Sequence, residues 1–185
     1  MKKNKEILLS EDEKLVSDIP QGKQQVLAGE KLNTPDSQLA SKTETQNVNS
    51  ANPSKQQLNS LLEYYQAGRY DDAENLAVSI TQGFPKKQFA WKVLGAIYKQ
   101  TGRISESLVA SQKSVQLAPQ DDEAHSNLGV TLQELDRFDE AEASYNRAIA
   151  LKADYVEAHN NLGVTLQKLG RLDEAEASLR QAIAL

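Results

Sequence analysis

The chain has 185 residues, a formal net charge of −5 and no cysteine. A slightly acidic chain has no positive field to hold a nucleic-acid backbone, so we expect no nucleic-acid partner. Without cysteine there is no disulfide framework, no thiolate nucleophile and no cysteine-ligated metal site. The length fits one or two domains.

The first 53 residues have the composition of a disordered tail. They contain no aromatic residue, and residues 33–54 are dominated by Ser, Thr, Asn, Gln and Lys. Such a segment buries too little apolar surface to offset roughly 1–2 kcal/mol of backbone entropy per ordered residue. We therefore expect a disordered N-terminal tail over 1–53, in which weakly apolar patches at 7–19 and 26–27 could form short helices on binding a partner.

The N-terminal residues do not resemble a targeting signal. Their apolar run covers only residues 7–9 and is followed by acidic residues, whereas a secretory signal needs an apolar region of about 7–15 residues. No later stretch approaches the roughly 20 apolar residues of a membrane span. We expect no membrane partner and a cytoplasmic location; the alternative is an unrecognised export route.

Beyond Pro53 the apolar residues fall at helical spacing. Ser54 is a plausible N-cap, and Asp154, with Glu157 three residues on, predicts a capping box before the seventh helix. The pattern predicts eight helices. Their approximate bounds are 55–68, 70–82, 88–101, 104–117, 122–135, 138–151, 156–169 and 172 to at least 185.

The last third of the chain contains an internal repeat. At an offset of 34 residues, 122–151 and 156–185 agree at roughly 22 of 30 positions, which indicates stacked two-helix units whose apolar faces are covered by their neighbours. The turn position recurs at the same offset as Gly68, Gly102, Asp136 and Gly170. A left-handed backbone there favours glycine, and aspartate is a tolerated substitute.

Three units carry a recognisable motif. Unit 88–121 contains Trp91, Leu94, Gly95, Tyr98, Ser107 and Pro119. Unit 122–155 contains His125, Leu128, Gly129, Leu132, Ala141, Tyr145, Ala148 and Ala153, and unit 156–185 contains His159, Leu162, Gly163, Leu166, Ala175, Leu179 and Ala182. These units resemble the tetratricopeptide repeat (TPR) family, whose consensus has an early Trp, Leu-Gly, an aromatic residue, a small residue and a closing Pro. Unit 54–87 is divergent, with Gln57 and Leu61 at the Trp and Gly positions.

The resemblance implies an all-α fold, a right-handed TPR solenoid of stacked antiparallel helix hairpins. The TPR domain would span 54–185, with repeats 54–87, 88–121, 122–155 and a truncated 156–185. The first helix of each repeat would line a concave groove, and the second would lie on the convex back.

The sequence gives little support for a catalytic site or a metal site. The acidic pairs, such as Asp121 with Asp122, stand at predicted helix starts, where the helix dipole stabilises acids. His125 and His159 occupy the position of Trp91, so we expect them to pack at hairpin interfaces rather than to bind metal, since no third ligand recurs with them. Phosphate-binding loops, nucleophile elbows and zinc motifs are missing. We expect no catalytic residue, no metal and no cofactor.

The asparagines are the residues most indicative of binding. Asn59, Asn127 and Asn161 share one repeat position, with Val93 interrupting the series. An asparagine side chain offers the donors and the acceptor that bind a peptide group without reading its side chain. The series resembles the asparagine ladder of O-linked N-acetylglucosamine transferases. The alternative is that asparagine is simply a tolerated polar residue on an exposed helix.

Further residues are expected in the same groove. These candidates are Asn160, Lys92, Tyr65, Gln133 and Gln167. Cochaperone TPR domains clasp a C-terminal carboxylate with basic and amide residues. Here the equivalent positions carry Glu123 and Glu157, which would repel a carboxylate, so that mode of binding is disfavoured.

The function predicted is that of a non-catalytic protein-protein interaction scaffold that binds an extended peptide or a partner helix in the groove. The alternative is a substrate-recruiting arm of a larger transferase, such as a glycosyltransferase, sulfotransferase or methyltransferase, with a catalytic domain beyond Leu185. The last helix should expose Leu179, Ala182, Ile183 and Leu185. We expect from this either a truncated chain or self-association through the C-terminal hairpin.

Overall fold

The computed structural model describes residues 52–185, which form helices and turns only. The eight helices in that part are α1 (Lys55–Gln66), α2 (Tyr70–Gly83), α3 (Gln88–Gln100), α4 (Ile104–Leu117), α5 (Asp122–Glu134), α6 (Phe138–Leu151), α7 (Val156–Lys168) and α8 (Leu172–Ala184). Their ends agree with the predicted bounds to within one or two residues. The expected tail over 1–53 lies almost entirely outside the described residues.

The helices pair as four antiparallel hairpins, and each hairpin packs against the next. Each odd-numbered helix also contacts the next odd-numbered helix, from α1 through α7. Among the described helices, the even-numbered ones contact only their neighbours in the chain. The odd-numbered helices are therefore the inner, concave layer of a curved stack, and the even-numbered helices are the outer layer.

The turn between the two helices of each hairpin has a left-handed residue, as predicted. The φ angles are 72° at Gly68, 76° at Gly102, 56° at Asp136 and 75° at Gly170. The next backbone N–H, that of an arginine, donates to the carbonyl five residues earlier, as in Arg137 to Leu132 at 2.9 Å. This bond satisfies a carbonyl that the helix end leaves unpaired, so the same turn is built four times, once with aspartate.

These arginines form a column along the outer layer. Each pairs with an acid three residues on in its own helix, as Arg103 does with Glu106 at 3.2 Å. Arg103 also lies 2.7 Å from Glu74, and Arg171 lies 2.6 Å from Glu142, both in the preceding repeat. Exposed pairs of this kind are worth about 0–1 kcal/mol each. They link successive outer helices.

Small residues allow the two helices of a hairpin to approach closely. Ser107 is buried on α4 and donates a hydrogen bond to the carbonyl of Gly95 on α3 at 2.9 Å. Gly129 lies directly over the ring of Tyr145, where an added β-carbon would be 2.6 Å from Cε1. Tyr145 is completely buried. The core is therefore held by close packing at the repeat's small positions as well as by leucines.

Two of the helix starts are capped by side chains in the predicted way. Ser54 accepts from the backbone N–H of Gln57 at 3.2 Å, and the Gln57 side chain accepts from the Ser54 N–H at 2.9 Å. Asp121 accepts from the N–H of Ala124 at 2.9 Å. These bonds satisfy N–H groups that the first helical turn leaves without partners.

The capping box predicted at Asp154 is wrong. The residue at the N-cap of α7 is Tyr155, and its side chain makes no capping hydrogen bond. Asp154 lies one residue too early, in a tight turn where its carbonyl accepts from the N–H of Val156 at 3.0 Å. Tyr155 holds the N-cap because its ring is buried against Ala148 and Ala158. Packing of the ring outweighs the capping preference of the sequence.

The last helix exposes part of its predicted apolar stripe. Ile183 is 86% exposed and Leu185 is 51% exposed. Leu179 is partly buried, and it lies against Gly163, where an added β-carbon would be 2.6 Å from its Cγ. α8 therefore covers α7 with the start of the stripe and leaves the end of it in solvent.

Candidate functional site

The predicted asparagines lie on helices of the inner layer. Asn59 lies on α1, Asn127 on α5 and Asn161 on α7, and all three are partly buried. Val93, at the same position of α3, is fully buried in the first core cluster. The structure therefore places two asparagines on neighbouring inner helices and a third beyond an apolar interruption.

Asn127 is not the freely solvated side chain expected of an empty groove. Its Nδ2 is the buried side-chain nitrogen or oxygen without a hydrogen-bond partner among residues 52–185. Its backbone carbonyl accepts from the hydroxyl of Thr131 at 3.0 Å, and the carbonyl of Asn161 accepts in the same way from Thr165 at 2.9 Å. A buried donor that lacks an acceptor costs about 1–3 kcal/mol, so the side chain of Asn127 is an unsatisfied polar group of the inner layer.

Gln133 has its carbonyl turned into the protein. The Oε1 atom accepts from the hydroxyl of Tyr145 at 3.0 Å and from that of Thr165 at 3.3 Å. These contacts tie α5 to α6 and to α7. Because the carbonyl is engaged on two sides, the amide NH₂ of Gln133 points away from the core. Gln167, one repeat later, is exposed.

Lys92 was predicted to contact a ligand in the groove, but its side chain is buried. Its side chain is 1% exposed, and Nζ lies 3.0 Å from Glu123 and 3.3 Å from Asp121. Gln88 donates to the same Asp121 carboxylate at 2.8 Å and to Ser114 at 2.9 Å. The lysine therefore joins the second repeat to the third. Burial raises the pKa of Glu123 even though Lys92 acts to lower it.

The two remaining candidates differ in exposure. Tyr65 is half-buried at the end of α1, where its ring centroid lies 6.0 Å from that of Tyr70. Burial, with a smaller contribution from Tyr70, raises the pKa of the Tyr65 phenol. Asn160 is exposed beside Asn161 on α7. Tyr65 thus offers a ring face near the first repeat, and Asn160 offers a solvated amide near the fourth.

Sequence reasoning missed the contact between one inner helix and the N-cap of the next inner helix, which we call a joint. Ser126 lies next to the hydroxyl of Tyr155 and acts to lower its pKa, against the larger effect of burial. Ser126 occupies the repeat position of Lys92, and Tyr155 occupies that of Asp121, each one unit later in the chain. One pair of repeat positions therefore builds both joints. The signal in the sequence was the recurrence of polar side chains at these two positions, which becomes visible only when the repeats are stacked.

The imidazole rings of His125 and His159 contact the turns that precede their helices. The Nε2 atom of His125 lies 3.1 Å from the carbonyl of Pro119, and that of His159 lies 3.0 Å from the carbonyl of Ala153. Trp91 donates from the equivalent position to the carbonyl of Pro85 at 3.0 Å. The histidines thus replace the tryptophan in its contact with the preceding turn. Within residues 52–185, no group of three His, Asp or Glu side chains has the arrangement of a metal site.

Comparison with known proteins identifies the repeat. The model of the tetratricopeptide repeat matches residues 121–185. Among curated proteins, no sequence matches the chain. None of the helices that the structure describes is both long enough and apolar enough to cross a membrane.

Solved structures of MamA proteins share the fold. The crystal structure of one MamA is 21% identical and superposes with a TM-score of 0.64, covering 69% of this chain and 77% of that chain. MamA of AMB-1 is 26% identical, with a TM-score of 0.62 and 70% of each chain covered. MamA from Desulfovibrio magneticus RS-1 is 17% identical, with a TM-score of 0.65 and 70% and 73% covered.

The motif, the hairpins and these comparisons agree. The described residues form an all-α, right-handed solenoid of stacked antiparallel hairpins, as the sequence predicted. Repeats of this kind serve in protein interaction. Residues 121–185 match the tetratricopeptide repeat model, and the described residues share the fold of the MamA structures.

Proposed function

We propose that this protein is a non-catalytic scaffold that binds an extended peptide across the inner layer, with Asn127 and Asn161 holding the peptide backbone. The observation that carries the proposal is the buried Nδ2 atom of Asn127, which has no hydrogen-bond partner in the part of the chain described. Because this atom has no exposed surface, the Asn127 amide would rotate toward the groove on binding, and a backbone carbonyl of the peptide would then supply the missing acceptor.

The amide suits a backbone better than a side chain. Each asparagine offers two donors and one acceptor, which together match the carbonyl and N–H of a peptide group. Binding of this kind is independent of the ligand's sequence. Neighbouring packed helices lie about 8–10 Å apart, and an extended chain advances about 3.3–3.6 Å per residue. Asn127 and Asn161 would therefore hold peptide groups about three residues apart.

Gln133 extends the same surface along α5. Because its Oε1 atom is held by Tyr145 and Thr165, its amide donors are oriented before a ligand arrives. A pre-oriented donor loses less conformational entropy on binding than a mobile one. The transferase-arm alternative would use the same groove, and no separate feature of the described residues favours it.

The test begins with selection of ligands from an array of immobilised random-sequence peptides. Asn127→Ala and Asn161→Ala are then combined in the full chain. Each lost hydrogen-bonding site should weaken binding of the selected peptide by about 0.5–1.5 kcal/mol, or about two- to tenfold. The melting temperature should change little, because the Nδ2 atom of Asn127 has no hydrogen bond to lose.

Asn146→Ala is the matched control, since Asn146 is exposed on α6 in the outer layer. It should leave affinity unchanged. An unchanged affinity of the double variant, with the selected peptide still competing for the same site, would show that the asparagines do not bind the ligand backbone.

A further inference from the structure

Two neighbouring inner helices share an acid and an amide on one face. Glu123 precedes Asn127 by four residues on α5, and Glu157 precedes Asn161 by four residues on α7. Residues four apart in a helix lie side by side on its surface. The first two inner helices differ, since α1 has a lysine before its asparagine and α3 has a phenylalanine and a valine there.

Carboxylates on α5 and on α7 raise the pKa of the same buried phenol, that of Tyr155. The pKa of the Tyr155 hydroxyl is raised first by burial, and the charges of Glu157, Glu123 and Asp122 raise it further. Glu157 comes from α7, and the other two acids come from α5. The acids of two successive repeats therefore occupy a common region at the N-terminal ends of these helices.

The cations of this region do not balance its acids. Lys92 is buried, and its single ammonium serves both Asp121 and Glu123, at 3.3 Å and 3.0 Å. Lys152 lies over the ring of Tyr155, with Nζ 4.9 Å from the centroid. Two further carboxylates, those of Glu157 and Asp122, lie close enough to raise the pKa of the Tyr155 phenol. Arg147 adds a third cation beside these acids, since its guanidinium lies 3.4 Å from the side chain of Gln120. Four acids thus face three cations, and a small excess of negative charge remains at this end of the inner layer.

We infer that the peptide held by Asn127 and Asn161 carries lysine or arginine at every third residue, so that successive cationic side chains meet Glu123 on α5 and Glu157 on α7. The inference rests on the proposed function and names the chemistry of its ligand. An acidic or phosphorylated peptide would be repelled at the same positions.

The spacing follows from the geometry of the polyproline II helix. That conformation has three residues per turn and a rise of about 3.1 Å per residue, so every third side chain returns to the same face after about 9 Å. Inner helices that pack about 8–10 Å apart present one Glu and Asn pair per turn of such a ligand. An extended peptide in this form would bind one backbone group and one cationic side chain per repeat.

The experiment uses four synthetic peptides and the full chain. Four Pro-Ala-Lys units form the periodic basic peptide, with Gln or Glu in place of Lys in two others. The fourth has the composition of the first, with its lysines consecutive. Affinities measured by fluorescence anisotropy should rank the periodic basic peptide first, at least tenfold above the acidic one. That affinity should fall as salt is added, because exposed charges are screened.

Glu157→Gln should weaken binding of the periodic basic peptide by about two- to fivefold and leave the Gln peptide unaffected. The control Asp139→Asn removes one exposed negative charge from the outer helix α6 and should change neither affinity. Equal binding of the basic, neutral and acidic peptides would overturn the charge inference and leave the groove proposal standing. Equal binding of the consecutive-lysine peptide would overturn the spacing. A failure of all four peptides to bind would overturn the groove proposal together with this inference.

Discussion

Replacing Gly129 by alanine tests whether close packing of the hairpins holds the third repeat. The added β-carbon would lie 2.6 Å from Cε1 of Tyr145 and 2.8 Å from Cδ1 and from Cζ. The ring has little freedom to withdraw, because it is completely buried and its hydroxyl donates to Gln133 at 3.0 Å. Either the ring shifts and strains that bond, or the two helices of the hairpin separate.

The expected magnitude follows from two opposing effects. Overpacking of a filled core costs about 1–3 kcal/mol, and alanine in place of glycine inside a helix contributes about 1 kcal/mol of stabilisation. Contact with three ring atoms places Gly129→Ala near the upper end of the first range, so the net loss should be about 1–2 kcal/mol. Urea unfolding followed by far-ultraviolet circular dichroism measures it.

Gly95→Ala is the matched comparison, one repeat earlier. There the nearest atom to the added β-carbon is the hydroxyl oxygen of Ser111, at 2.9 Å, and a serine hydroxyl can rotate away. The helix preference should then prevail, and the variant should be as stable as the natural chain or up to about 1 kcal/mol more stable. If Gly129→Ala is no less stable than Gly95→Ala, the packing argument is refuted.

Two further predictions concern a turn and a buried acid. Asp136→Gly removes left-handed strain of about 1–2 kcal/mol and adds about 0.4–1 kcal/mol of unfolded-state entropy; its melting temperature should therefore be unchanged or higher, and a clear fall would contradict the strain. The raised pKa of Glu123 means that the fold loses stability as the pH rises from the unfolded to the folded pKa of this carboxyl. Glu123→Gln removes that loss, so the variant's free energy of unfolding, relative to the natural chain, should increase between about pH 4 and pH 7 in urea titrations; a decrease would reverse the sign of the shift.

The features that the sequence predicted well are local or repeated. Helix bounds follow from apolar periodicity within each helix. The left-handed φ of 56° at Asp136 follows from its alignment with three glycines. The repeat supplies four examples of each position, and an exception such as Asp136 can be understood from the other three. This redundancy explains why a single sequence was enough to determine the fold.

The features that it predicted poorly depend on what stacking brings together. Lys92 is a surface residue by its type, and it is buried where it pairs with Asp121 at the N-cap of α5 and with Glu123 on α5. Nothing in the sequence predicted that the carbonyl of Gln133 accepts hydrogen bonds from Tyr145 and Thr165. In both cases the partner lies in another helix, and helical periodicity carries no information about it.

The joints between repeats explain how a regular scaffold can bind a particular ligand. The same two repeat positions hold the buried ion pair of Lys92 with Asp121 at one joint and the contact of Ser126 with Tyr155 at the next. The turn and the small packing positions stay nearly constant, because they determine whether hairpins stack at all. The residues at a joint can differ in charge from one joint to the next, since each of them contacts only its partner across that joint. The electrostatic character of the inner layer is thus determined joint by joint, and the excess of acids beside Asn127 is a property of two joints rather than of the fold.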